Sequence, residues 1–173
     1  MTVRKVLFLD IDGVLHRGIA RRSGDRVVSS APGVIELFEF APVLDELLRP
    51  YPDVEIVLSS DWAIVLGTQY TVDALPLSTL RDRVVGATYE DSIFNAYFWF
   101  AVPRGDQVLD YVSRNSPLTW LAVDDRVDGF AAHRHQLIHC ETDVGLGDLA
   151  VVEQFRDRLK EYFSDSSKSG GDE

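Results

Sequence analysis

The chain has 173 residues, of which 46% are hydrophobic, and a formal net charge of −11. The length suits one domain around one core, and the acidic balance argues against broad electrostatic binding to nucleic acid or an anionic membrane surface, while leaving room for a local basic pocket. Cys140 is the only cysteine, which excludes an intrachain disulfide, and no apolar run approaches the length of a membrane span, so the expectation is a soluble cytoplasmic protein.

Val6 to Leu15 reads VLFLDIDGVL. Its continuous apolar start predicts a strand buried on both faces, with Asp10 at the carboxyl end, where open α/β sheets place ligands. Asp12 follows two residues on and Gly13 supplies a tight turn; on these residues alone, an Asp-Gly turn of no chemical role remains an alternative. A polar loop carries Arg17, Arg21, Arg22 and Arg26. Val27–Ser29 and Glu36–Phe40 are expected as two short strands around Ala31-Pro32-Gly33, forming a flap whose arginines read as a solvated loop or, alternatively, as guanidinium groups offered to an anionic substrate. Pro42 opens a helix with Val43, Leu44, Leu47 and Leu48 on its apolar face, and Pro50 and Pro52 end it.

Val54–Leu58 is a second strand, delivering Ser59, Ser60 and Asp61, followed by a short helix over roughly 62–66 and irregular chain to Leu77. Val84–Ala87 is a third strand. The aromatic stretch with Tyr89, Phe94, Tyr97, Phe98, Trp99 and Phe100 is expected as core or as a contact between protomers. Arg104-Gly105-Asp106 opens a helix that buries Val108, Leu109 and Val112 and ends by Asn115-Ser116-Pro117. Leu118–Val123 is a fourth strand ending at Asp124 and Asp125, and Gln136–His139 a fifth. Leu149, Val152, Phe155, Leu159 and Phe163 mark a final amphipathic helix, and a disordered Ser/Gly/Asp tail is expected from 164 to 173. His133, His135 and His139 have a spacing that zinc tolerates, but they straddle an element boundary and read as structural or surface groups. His16, close to the site in sequence, reads as a loop residue, with a substrate contact as the alternative, and Cys140 as core.

Alternating strands and helices predict an α/β fold: a Rossmann-like, mostly parallel five-stranded sheet with helices on both faces, a short flap after the first strand and no large cap domain, over residues 1–163. Three strand ends rich in acidic or hydroxyl groups would meet along one edge of that sheet.

This arrangement resembles the haloacid dehalogenase (HAD) superfamily of phosphohydrolases, in its small-cap or capless form, which includes domains associated with nucleic-acid end repair. The resemblance rests on Asp10, Asp12 and Gly13 as the first motif, Ser59 as the second with Ser60 as the alternate register, Arg104 as the third with Arg81 and Arg83 as weaker candidates, and Asp124 with Asp125 as the fourth. It implies a Mg²⁺-dependent phosphatase. Asp10 would be the nucleophile that forms an aspartyl-phosphate, and Asp12 the general acid and then base. Ser59 and Arg104 would bind the phosphoryl oxygens, with Ser60, Gly13 and Arg17 further substrate contacts. The metal set it implies is Asp10, the backbone carbonyl of Asp12, and Asp125, with Asp124 orienting it. The substrate expected is a phosphorylated small molecule or a phosphorylated nucleic-acid end; the competing reading is a non-catalytic binding or regulatory module on the same fold. Neither membrane association nor a particular oligomeric state is indicated.

Overall fold

Residues 4–91, 93 and 95–164 are described by the computed structural model. Five parallel strands form the sheet in the order β5-β4-β1-β6-β7, comprising β1 (Lys5–Leu9), β4 (Val54–Leu58), β5 (Val84–Ala87), β6 (Thr119–Asp124) and β7 (Leu137–His139). β1 lies at the centre, paired in parallel with β4 on one side and β6 on the other. The chain winds outward from β1 to β4 and β5, then returns to start again at β6. The strand order therefore reverses beside β1, and the crevice at the carboxyl ends of β1 and β6 is where such sheets bind ligands.

Burial on both faces explains why the strands read as unbroken apolar runs. Leu7, Leu9, Ile56, Leu58, Leu121 and Val123 point to one face and join the larger core cluster. Their neighbours Val6, Phe8, Val57, Trp120 and Ala122 form the second cluster on the other face. The first face is covered by α1 (Ala41–Leu48) and α7 (Leu149–Phe163), which bury Leu44, Leu47 and Leu48, and Val152, Phe155, Leu159 and Phe163. Asp148 caps α7 by accepting from Ala150 N at 2.9 Å. The second face is covered by α6 (Arg104–Asn115), which ends at Ser116 in the left-handed region, just before Pro117.

Three expected features differ in detail. The flap is a hairpin of β2 (Arg21–Ser23) and β3 (Arg26–Val28) that turns at Gly24, whose φ is 63°, so neither Ala31-Pro32-Gly33 nor Glu36–Phe40 takes part. A two-residue turn with glycine at its first position matches the twist of a hairpin better than a proline-containing one. The segment read as irregular contains α3 (Thr68–Ala74), between α2 (Asp61–Val65) and α4 (Ser78–Arg81). Its fully buried residue is the polar Thr71, with Val72 and Ala74 only partly buried against the core, so its sequence shows no clear apolar stripe. α6 buries Arg104, Gln107, Val108 and Tyr111, while Leu109 and Val112 sit at the margin of the core. Two polar residues occupy the buried stripe because they serve the sheet edge, as described below.

Of the aromatic stretch, Tyr89 and Trp99 are buried, whereas Tyr97 and Phe98 on α5 (Ala96–Trp99) are exposed; Phe94 and all of the expected tail except Ser164 lie outside the described residues. Among the described residues no helix is long and apolar enough to cross a membrane.

Candidate active site

The ladders of β1 continue one residue past the strand. Asp10 N donates to Val123 O at 3.1 Å, and Ser59 N donates to Leu9 O at 2.8 Å. Those bonds fix Asp10 between the ends of β4 and β6. Asp124 is the last residue of β6, and Asp125 follows it. Gly13 brings the two acidic ends together: its φ is +68°, and a Cβ there would lie 2.4 Å from Asp125 Oδ2. Only glycine meets both requirements. Asp125 is also held by Thr142 Oγ1, which donates to Oδ2 at 2.7 Å, and by His139 Nε2, 3.1 Å from the Asp125 carbonyl oxygen.

Asp10, Asp124 and Asp125 each offer a carboxylate oxygen, and these oxygens all lie within 4.8 Å of one another. Burial, reinforced by the Asp124 and Asp125 charges, pushes the Asp10 carboxyl well above the usual carboxylate range. Burial likewise pushes Asp124 up to about 7. Arg104 opposes both shifts. Its side chain is 2% exposed, with Nε 3.2 Å from Asp124 Oδ2, and Nη2 3.2 Å from Asp61 Oδ1 and 3.9 Å from Asp10 Oδ1. Burial works against the guanidinium charge, but Asp10, Asp124 and Asp61 more than offset it, so Arg104 stays protonated.

The sequence around Arg104 explains its placement. Gly105 lies so close to the turn after β6 that a Cβ would sit 2.2 Å from the Gly129 carbonyl carbon. That approach lets Arg104 N donate to Asp128 Oδ2 at 3.0 Å and Gly105 N donate to Asp128 O at 2.8 Å, tying the first turn of α6 to the β6 loop. Arg126, which bonds the Asp128 carboxylate, holds that group down to about 2. Gln107, fully buried one turn on, accepts from Arg104 Nη1 at 3.2 Å and donates to the carbonyls of Trp99 and Val102.

Asp12 has separate company. Its Oδ1 lies 3.0 Å from His16 Nε2, from Ala20 N and from Trp62 Nε1. Phe38 N donates to His16 Nδ1 at 3.4 Å, which leaves the His16 proton on Nε2, aimed at Asp12. Three donors engage Oδ1, so Oδ2 is the oxygen left free on a carboxylate that lines the pocket shared with Asp10, Asp61, Arg104 and Asp125. His16, Phe38 and Trp62 pack edge to face or tilted around this group, and Phe38 adopts a φ of 61°, an uncommon conformation for a bulky residue. His16 lies in the loop after β1 but is fully buried as a partner of Asp12, a burial that nothing local in the sequence signals.

The two serines part ways. Ser60 Oγ caps α2, accepting from Trp62 N at 3.3 Å. Ser59 Oγ is buried and has no hydrogen-bond partner among the described residues. A buried unpaired hydroxyl at the end of β4 is an available donor. Arg17 is engaged with Glu39, Nε to Oε1 at 2.8 Å, and with Val34 O, and does not line the pocket. Arg81 and Arg83 donate to backbone carbonyls elsewhere: Leu75 O for the first, and Leu48, Tyr51 and Val54 O for the second. The histidines go to separate partners, His133 to Gln136 and His135 to Glu161. Cys140 is buried in the core.

Hard carboxylate oxygens, too close to be comfortable as bare anions, match what Mg²⁺ takes as ligands, and the Asp10, Asp124 and Asp125 group could hold such an ion. A family model described as "HAD domain in Swiss Army Knife RNA repair proteins" matches residues 6–151. No curated protein matches the chain.

Proposed function

We propose, because this chain belongs to the family of HAD domains in Swiss Army Knife RNA repair proteins, that it is a Mg²⁺-dependent phosphomonoesterase acting on a phosphorylated nucleic-acid end through an aspartyl-phosphate. The carrying observation is the meeting of the Asp10, Asp124 and Asp125 carboxylates beside a buried Arg104, with Asp12 held apart on its own donors. A cation-binding module has use for the first cluster. It has none for a second carboxylate locked with one oxygen free.

Asp10 acts as nucleophile in its ionised form, which Arg104 favours against the cost of burial. A carboxylate oxygen of Asp10 bonds to phosphorus as the ester bond breaks, and Asp12 passes a proton from Oδ2 to the departing oxygen. Asp12 then takes a proton from the water that attacks the phosphoenzyme, releasing phosphate and restoring Asp10. Ser59 Oγ donates to a phosphoryl oxygen, and Arg104 balances charge there and on Asp10. Asp10, Asp125 and the Asp12 carbonyl would hold Mg²⁺, supported by Asp124. When bound, the ion neutralises phosphoryl charge and favours the ionised form of Asp10.

The test is hydrolysis of an aryl phosphate and of an oligonucleotide with a terminal phosphate, with and without Mg²⁺, by the wild type and Asp10→Asn. Turnover that requires both the metal and Asp10 is expected. Asp12→Asn should cost at least ~10²-fold, the low end for acid–base catalysis. Turnover that survives Asp10→Asn would overturn the assignment, and activity on the aryl phosphate alone would remove the nucleic-acid end.

A further inference from the structure

A second cleft of about 190 Å³ continues from the carboxylate pocket. The two share Asp12, Ile19 and Asp61, and the second runs on between the flap and α2. Its walls are apolar: Ile19 and Val27 on the flap side, and Trp62, Val65 and Leu66 opposite. Ile19 and Val65 are 61% and 55% exposed, a wasteful placement for large aliphatic side chains unless something covers them.

The charge on the flap is equally specific. In a chain of net charge −11, Arg21, Arg22 and Arg26 have no acidic partner among the described residues, whereas Arg17 just before them is paired with Glu39. Arg22 pairs directly across the hairpin with Val27, and residues opposite each other in an antiparallel pair share a face. Val27 faces the cleft, so Arg22 leaves from the same side. Arg21 also lines the cleft, but strand alternation directs its side chain, like that of Arg26, from the opposite face of the hairpin.

Asp12 fixes what the cleft is for. It delivers its proton to the leaving oxygen, so the body of the leaving group extends from Asp12, away from Asp10 and Asp125. That direction is the second cleft. We propose that this cleft is a leaving-group subsite for a nucleoside unit bearing a second phosphate: the nucleoside lies against the apolar walls and Arg22 reaches the second phosphate. The inference rests on the phosphomonoesterase reading. The cleft is smaller than the ~300 Å³ at the low end for pockets that enclose a whole ligand, so it takes one unit of a longer substrate. One guanidinium on one phosphate adds only about 0.7 to the salt slope of binding to a single strand, consistent with an acidic protein without a broad basic face. A free nucleoside bisphosphate and a strand end present the same chemistry.

The experiment is titration of the Asp10→Asn protein, in Mg²⁺, with a nucleoside monophosphate, the matching bisphosphate and a dinucleotide bearing the same terminal phosphate. The second phosphate should tighten binding about tenfold, within the range of charge-assisted hydrogen bonds. Arg22→Gln should remove most of that ratio, while Arg156→Gln, the same change of charge on α7, should leave it. Val65→Ser should weaken all three ligands relative to inorganic phosphate. Equal affinity for mono- and bisphosphate, or a ratio that Arg22→Gln does not move, would overturn the subsite. A dinucleotide bound at least as tightly as the bisphosphate supports a strand end as its occupant, and a much weaker one supports the free bisphosphate. Wild-type turnover of the same ligands separates the two ideas. An intact affinity ratio with no Mg²⁺-dependent turnover would sink the phosphatase reading and keep the subsite; turnover with a ratio of one would do the reverse.

Discussion

At Asp12 the useful quantity is which oxygen carries the proton. Oδ1 accepts from His16, Ala20 and Trp62, so a proton can reside only on Oδ2. Trp62→Phe keeps an aromatic ring against Phe38 and His16 but removes one of those donors. Rates on an alkyl phosphate, whose leaving oxygen must be protonated, should fall about tenfold, a fraction of the ~10²–10⁴ that acid–base catalysis contributes. Rates on p-nitrophenyl phosphate, which leaves without help, should change little. A loss of equal size on both would reduce Trp62 to a packing residue. The neighbouring serines make a second contrast. Ser60→Ala removes the α2 cap and should lower unfolding free energy by about 1 kcal/mol, with turnover retained in a denaturation and activity assay. Ser59→Ala removes a buried hydroxyl that has no partner, so stability should hold while kcat falls. The opposite pattern would give the phosphoryl contact to Ser60.

At the scale of elements, the site depends on how closely the first turn of α6 approaches the loop after β6. Gly105→Ala would put a Cβ 2.2 Å from the Gly129 backbone, so that turn must move and take Arg104 with it. We expect a loss of at least ~2 kcal/mol, in the range of overpacking a tight contact, together with most of the turnover. Gly86→Ala in β5 meets nothing within 4 Å and should be near neutral in the same thermal and kinetic measurements. If Gly105→Ala matched Gly86→Ala, the docking argument would fail. This contact also marks where the sequence stops being readable. The β1, β4 and β6 strands stand out because burial on both faces makes their apolar runs continuous. α7 stands out because its buried residues keep a helical period, and Asp10, Asp12, Asp124 and Asp125 because they close strands. β2 carries only exposed residues, so no pattern reveals its register. The burial of His16 and of Gln107 depends on partners such as Phe38 and Trp99 brought up by the fold. The buried stripe of α6 departs from its apolar period for the same reason: it starts with Arg104 and Gln107, polar residues that only the sheet edge requires.

Across the whole molecule, the sheet gathers buried acids at one edge, and that should set how stability depends on pH and metal. Asp124 is pushed up to about 7 by burial, and Asp10 is raised in the same direction. A carboxyl whose pKa is higher folded than unfolded favours the folded state when protonated. Its contribution is complete below the unfolded value near 4 and is lost as pH rises to about 7. Asp128 runs the other way: held at about 2, it stabilises above about pH 4 and fails only as pH falls through 2. With a chelator present, the melting temperature should therefore decline between pH 5 and pH 8, instead of the plateau usual for carboxylates held down by ion pairs. Mg²⁺ binds the ionised cluster, so its stabilisation should grow over the same interval and be larger at pH 8 than at pH 5. Asp124→Asn removes one of the raised carboxyls and should flatten both trends. Thermal melts at the two pH values, with and without Mg²⁺, test this directly. A chelated wild type that gains stability from pH 5 to pH 8, with a metal increment indifferent to pH, would mean that the acidic edge is neither strained as a bare cluster nor the place where the cation binds.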